Sequence, residues 1–262
     1  MALDGGSASD AGASRPASSS GLDNTPPATV DWQEVVLRAT GSGPPDFTAV
    51  TAAQATAAAE KHARASALRN LERGVLAVRL TGSQTVSDVL ASSGGAAEKI
   101  GPALGEYRIT AKRYFSDHGV ELDVELALSP IADLLLAPPL PAAKAPGPKG
   151  KSSGLIIDAR GLNVLPGLAP RLLDPSGKEL YGIASLSAEA RRRTGVAAYA
   201  KSIGDAKASP RVGERPLIVR AANAVGTDLV LSAAAVRSIE ESNPVYLLDG
   251  RVLIVSEPPA KR

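Results

Sequence analysis

The chain has 262 residues, 29 Lys and Arg against 27 Asp and Glu, two His, no Cys, and only two Phe, one Trp and five Tyr. That length admits one large domain or two of about 100 to 130 residues. The absence of Cys excludes disulfides, thiolate nucleophiles and Cys-ligated zinc. A net charge of +2 supplies no broad field for DNA or an anionic membrane. The few rings leave little for stacking sugars or single-stranded nucleic acid.

Met1 to Thr29 is rich in Gly, Ala, Ser and Pro, lacks the basic and apolar regions of a secretory signal, and is expected to be a disordered tail. Asp31 to Ala39 predicts a first strand, ended by the breaker Gly41-Ser42-Gly43-Pro44-Pro45. The strongest helix follows. Thr51 and Gln54 have capping-box spacing, Ala52 to Arg73 contains neither Pro nor Gly, and Gly74 is the expected stop. Ala52, Ala55, Ala59, Ala63, Ala67 and Leu71 form a stripe of mostly small side chains, suited to lying close on a sheet. Val75 to Leu80 reads as a short strand and Gln84 to Ser92 as a weaker helix.

Tyr107 to Phe115 and Val120 to Leu128 predict a hairpin around Ser116-Asp117-His118-Gly119. Its second strand alternates apolar residues with Glu121, Asp123 and Glu125, and pairing Phe115 with Val120 would set Lys112 opposite Asp123 and Tyr114 opposite Glu121. Ala137 to Ser153 carries five prolines and reads as an extended linker, long enough at about 3.1 Å per residue to separate two independently folded units.

Beyond it, Gly154 to Asp158 predicts a short buried strand, and Ala169 to Asp174 with Glu179 to Ala184 a hairpin. Ser187 is placed to cap a helix running to about Lys207, with Gly195 as its weak point. Leu217 to Ala221, Asp228 to Leu231 and Val252 to Ser256 read as strands, and Ser232 to Ser242 as a capped helix. The expected fold class is therefore α+β, as two small α+β domains joined by a Pro-rich linker after a disordered N-terminal tail. Its divisions are residues 1–29 for the tail, 31–136 for the first domain, 137–153 for the linker and 154–258 for the second domain.

Catalytic motifs fail one by one. His62 and His118 stand alone, with no HExxH spacing and no GxSxG elbow. Gly150-Lys151-Ser152 resembles the end of a phosphate-binding loop, but Ala145 replaces the leading Gly and Pro146 and Pro148 break the backbone. Gly41-Ser42-Gly43 starts a dinucleotide fingerprint that Pro45 and Asp46 interrupt, so a turn is expected there. Glu121, Asp123 and Glu125 share a strand face that reads as solvated and balanced by Lys112 rather than as a calcium site. Arg191-Arg192-Arg193 fans around a helix and reads as a solvated face. No catalytic, cofactor-binding or metal residue is assigned, no cofactor is expected, and the chain is read as a non-enzyme. An enzymatic reading would need Asp158 to meet Asp174 or Glu179 in a cleft.

The segment AAAEKHARASALRNLERGVLAVRLTGSQTVSDVL, then EYRITAKRYFSDHGVELDVELAL, with VDWQEVVLRATGSGPP upstream, resembles the Lpp-twenty outer-membrane lipoprotein family and the N-terminal domain of the flagellar assembly protein FlgT. The resemblance spans about residues 31–136. It implies a scaffold or assembly factor of the Gram-negative envelope, periplasmic or associated with the outer membrane, and no catalytic group. Envelope proteins, or a second copy of the chain, are the expected partners. Nucleic acid is not expected, nor is a transmembrane segment, since no run reaches the roughly 18 to 20 apolar residues a spanning helix needs. The alternative is a periplasmic module binding a peptide or cell-wall strand in an interdomain groove or along a strand edge.

Overall fold

The computed structural model describes residues 27–94, 96–136 and 151–257. The expected tail, but for its last three residues, and most of the expected linker lie outside them. The described chain is α+β, with two sheets and helices packed on both.

The first sheet holds four antiparallel strands in the order β1-β2-β4-β3: β1 is Thr29–Asp31, β2 Val36–Gly43, β3 Arg108–Tyr114 and β4 Val120–Ala127. The expected first strand is in fact split. Between β1 and β2 the chain turns back, with Val35 at φ 56°, an unusual conformation for a β-branched residue. Asp31 holds the turn by accepting from the Gln33 and Glu34 amides at 3.0 and 3.2 Å.

Helix α1 (Ala52–Ala77) lies across this sheet, and its start agrees with the sequence: the Thr51 hydroxyl accepts from the Gln54 amide at 3.2 Å. Its buried face holds Ala59, Ala63 and Ala67. The glycines read as a turn are the matching surface, within β2. A Cβ on Gly41 would fall 2.2 Å from the Ala63 carbonyl oxygen, and one on Gly43 1.8 Å from that of Ala59. Gly74 does not stop the helix, which continues to Ala77; it allows contact with Ala28 and Leu37. Hence the strand expected from Val75 begins as helix, and beyond it only Arg79 bridges to Thr85.

Helix α2 (Val86–Ser92) has a full capping box between Thr85 and Asp88. Two helices escaped the sequence reading. Helix α3 (Ala96–Gly105) contains Pro102, and α4 (Ser129–Leu136) has Pro130 in its first turn, where the missing amide costs nothing. The β3–β4 hairpin forms with its register shifted by one: Tyr114 pairs with Val120 and Arg113 with Glu121, and a bulge follows between Ile109 and Ala111.

The second sheet has seven strands in the order β7-β6-β10-β9-β5-β11-β8. They are β5 (Gly154–Asp158), β6 (Leu172–Leu173), β7 (Glu179–Tyr181), β8 (Ala198–Ala200), β9 (Pro216–Val225), β10 (Asp228–Leu231) and β11 (Val252–Val255). β9, β5, β11 and β8 run parallel, and β9–β10 and β6–β7 pair antiparallel. The long helix expected after Ser187 is two short ones, α5 (Ala188–Arg193) and α6 (Ile203–Ala208), separated by Gly195 at φ 71° and by β8. Helix α7 (Ala233–Glu241) starts at the expected Ser232 cap.

The two domains are not held apart. Ile156, Leu168, Leu253 and Val255 of the second join Leu37, Leu126 and Ile131 of the first in one continuous apolar cluster. The Leu168 and Ala169 amides donate to the Arg79 and Leu80 carbonyls at 3.0 and 2.8 Å. Asp133 of α4 takes Arg191 at 2.8 Å and Arg192 at 3.2 Å from α5. Arg191 is buried, so the basic run read as a solvated face is in part an interdomain clamp.

Candidate functional site

Strands β5, β8 and β11 are parallel, so their carboxyl ends, Asp158, Ala200 and Val255, lie at one side of the sheet, the side where open parallel sheets usually take ligands. There the first domain closes over the sheet and leaves a cleft of about 590 Å³. Its first-domain wall is β1 with Trp32, Gln33 and Arg38; its second-domain wall is Pro166, Tyr199 to Lys201, Ser256 and Glu257. β8 is an edge strand whose outer side is partly occupied: the Tyr199 amide donates to the Trp32 carbonyl at 2.9 Å.

The Trp32 and Tyr199 rings meet edge to face, 5.6 Å between centroids and 75° between planes. The Tyr199 hydroxyl donates to the Gly167 carbonyl at 3.0 Å and accepts from its amide at 3.1 Å. Burial pushes its pKa up, so the phenol stays neutral and serves as a fixed wall. The polar groups at the mouth are of both signs. Arg38 binds Asp31 at 2.7 Å, while Lys201 is exposed.

The carboxylates considered for chemistry do not converge. Asp158 receives Arg160 through two bonds of 2.8 Å, with Arg220 at 4.0 Å, and these hydrogen bonds and charges hold it below the usual carboxylate range. Asp174 closes the β6–β7 turn, accepting from Ser176 and Lys178. β6 and β7 are three and four strands away from β5 in the sheet order, roughly 14 to 19 Å at ordinary strand spacing.

The acidic face of β4 is answered by arginines rather than by Lys112, which reaches Glu60 on α1 at 2.7 Å. Arg113 binds Glu121 and Asp123, and Thr40 donates to Asp123 at 2.9 Å. Glu125 accepts from Arg38 and Arg108, each at 3.1 Å through Nε. Burial alone would raise the pKa of Glu125, but the two guanidinium groups outweigh it and the net shift is downward. His62 is exposed on α1, and His118 occupies the hairpin turn at φ 70°. Among the described residues no group of three or more His, Asp or Glu is arranged to hold a metal ion.

A second cleft, about 570 Å³, lies beside α5 and contains Arg211. Its guanidinium donates to the Thr194, Gly195 and Val252 carbonyls at 2.7, 2.9 and 2.9 Å. Burial lowers its pKa to about 10, which leaves it charged at neutral pH. The acceptors include carbonyls at the C-terminal end of α5, where a cation is favourable, so Arg211 ties that helix to β11. The surrounding charges are balanced: Arg193 pairs with Glu189 at 2.9 Å and Arg251 with Asp249 at 3.7 Å.

Residues 154–258 match the family described as Treponema pallidum Tp0624, second domain. A search of curated proteins finds no match to the chain. The family match begins with β5 and covers the seven-stranded domain, including one wall of each cleft. Trp32, Asp133 and Arg211 were not singled out from the sequence, because each acquires its partners only when distant segments meet. The one local signal was the rarity of Trp in this chain.

Proposed function

We propose that the protein is a non-enzymatic interaction or scaffolding protein of the bacterial cell envelope, acting in flagellar or other envelope assembly. The observation that carries this reading is the joining of its two domains into one body, through a common apolar cluster and the Asp133 clamp on Arg191 and Arg192. A body of this kind holds its outer surfaces at fixed separation, as a scaffold must. The envelope assignment comes from the resemblance of residues 31–136 to the Lpp-twenty and FlgT N-terminal families. No transmembrane role is part of it: no helix among the described residues is long and apolar enough to cross a membrane.

Fractionation of the native host, with N-terminal sequencing of the mature chain and in-cell crosslinking, tests the reading. An envelope fraction with a reproducible crosslinked partner is expected. An unprocessed cytosolic chain overturns the assignment.

The cleft of about 590 Å³ favours a second reading, a module that binds a peptide or cell-wall strand. Among the described residues β1 pairs only with β2, so its outer edge offers backbone groups to an extended segment beside Lys201 and Glu257. Titration of the protein with peptides and with soluble cell-wall fragments, read by Trp32 fluorescence, separates the ligands. No spectral change with either removes this reading.

A further inference from the structure

The cleft of about 590 Å³ lies between two strand edges: β8 is at the end of the seven-stranded sheet, and β1 at an end of the four-stranded one. The Ser256 amide donates to the Ala200 carbonyl at 3.1 Å, so Ala200 turns its backbone groups toward β11. Those groups alternate in direction along a strand, and Tyr199 therefore turns its own the other way, toward the first domain. The Tyr199 amide is used by the Trp32 carbonyl at 2.9 Å, whereas the Tyr199 carbonyl has no partner among the described residues. Trp32 directly follows β1, so this one bond joins the two edges at a single point and leaves both open beside it.

Donors on the cleft walls are also unused. The Trp32 indole N–H and the Lys201 ammonium have no hydrogen-bond partner among the described residues. Of the other wall charges, Asp31 is held by Arg38, and Glu257 lies in the field of Arg160. Lys201 is thus the cation left there without a counter-ion among the described residues.

We infer that the ligand of this cleft is an extended peptide bearing a carboxylate, which adds as a strand against the edges of β1 and β8 and sets its acid against Lys201. This deepens the binding-module reading and rests on it. Open strand edges offer main-chain hydrogen bonds, which a peptide answers residue by residue and a glycan does not. The edge-to-face pair of Trp32 and Tyr199 gives an apolar wall for alternate side chains of such a strand. The indole N–H and the ammonium can only donate, so they fit an acidic side chain and not a basic one.

The test is titration of the full chain, read by the fluorescence of its one Trp, with acetyl-Thr-Val-Glu-Val-Thr-amide, with its counterpart carrying Lys in place of Glu, and with the acidic peptide N-methylated at both Val and at Glu. The acidic peptide should bind about two- to fivefold more tightly than the Lys peptide, the range of one exposed ion pair. Methylation removes the amide donors and should weaken binding about tenfold or more. Lys201→Glu, at an exposed side chain, should reverse the order of the two unmethylated peptides and leave far-UV circular dichroism unchanged. Binding that methylation does not weaken overturns the inference, as does an order that Lys201→Glu leaves in place. No spectral change with the acidic peptide overturns it too. If soluble cell-wall fragments then still change the Trp32 signal, the inference fails alone; if they do not, the binding-module reading fails with it.

Discussion

The two sheets solve the same packing problem in opposite ways. In the first domain a single helix covers one face of an antiparallel sheet through small residues, with Ala59, Ala63 and Ala67 set against Gly41 and Gly43. The opposite face of that sheet carries the polar row Thr29, Arg38, Glu125 and Arg108, one residue from each strand. In the second domain β5 and β11 each have a strand on both sides, and Leu155, Ile156, Ile157, Leu253 and Ile254 are buried without alternation. A parallel strand covered on both faces needs bulk on both sides. The first domain is therefore sensitive to added volume and the second to removed volume, and their junction is sensitive to charge.

The junction should give the largest effect. Asp133→Ala leaves Arg191 buried without its counter-ion, and losing one partner of a buried pair typically costs about 3 to 5 kcal/mol. Urea unfolding followed by Trp32 fluorescence and by circular dichroism should give one transition in the native chain, since the apolar cluster crosses the junction. Two separate native transitions would show that the domains unfold independently. An unchanged midpoint in Asp133→Ala would show that the clamp contributes nothing.

Next come two substitutions that test the contrast itself. Leu253→Ala removes bulk from a fully buried position and should cost about 2 to 5 kcal/mol. Ala63→Leu adds bulk where α1 meets Gly41 and should cost about 1 to 3 kcal/mol. Both are read from denaturant midpoints. If Ala63→Leu is tolerated, α1 does not lie as close to β2 as its glycines require.

What the sequence revealed follows from the same contrast. Period-two alternation marked β4, the alanine stripe marked α1, and the Thr51, Ser187 and Ser232 caps lie where local chemistry placed them. The errors arose where tertiary contact overrides local preference. Gly41, Gly43 and Gly74 read as breakers because glycine usually is one, whereas here a helix and a sheet need the missing Cβ. The hairpin register slipped by one because Phe115 belongs to the turn, where its amide donates to the Gly119 carbonyl and His118 takes φ 70°. An interdomain groove was expected as an alternative, but the residues lining the clefts were not legible, since their walls come from segments more than a hundred residues apart.

A smaller effect, of opposite sign, is expected on the helix stripe. Ser66 is buried on α1 and its hydroxyl has no hydrogen-bond partner among the described residues. Ser66→Ala removes an unsatisfied polar atom and should stabilise the fold by about 1 kcal/mol. A lower urea midpoint in this variant would show that the hydroxyl is satisfied in solution.

The smallest effect belongs to the polar row, because the arginines that pair with buried Glu125 are themselves exposed and solvent screens such pairs. The Glu125 pKa lies below its ordinary 4.5: burial acts to raise it, and the hydrogen bonds and charges of Arg108 and Arg38 overcome that. The unfolded chain therefore takes up this proton at higher pH than the folded one does. The stabilisation is complete above about pH 4.5 and is lost as pH falls through the lower folded-state value. Glu125→Gln should consequently lower the urea midpoint slightly at neutral pH and leave it unchanged in acid, so that the acid-side fall is flattened by that same small amount. Asp123, also shifted down by Arg113, should retain its own share of the acid dependence. A slope in Glu125→Gln equal to that of the native chain would mean that the row is screened by solvent, and that the face of the first sheet away from α1 is held by its backbone ladder alone.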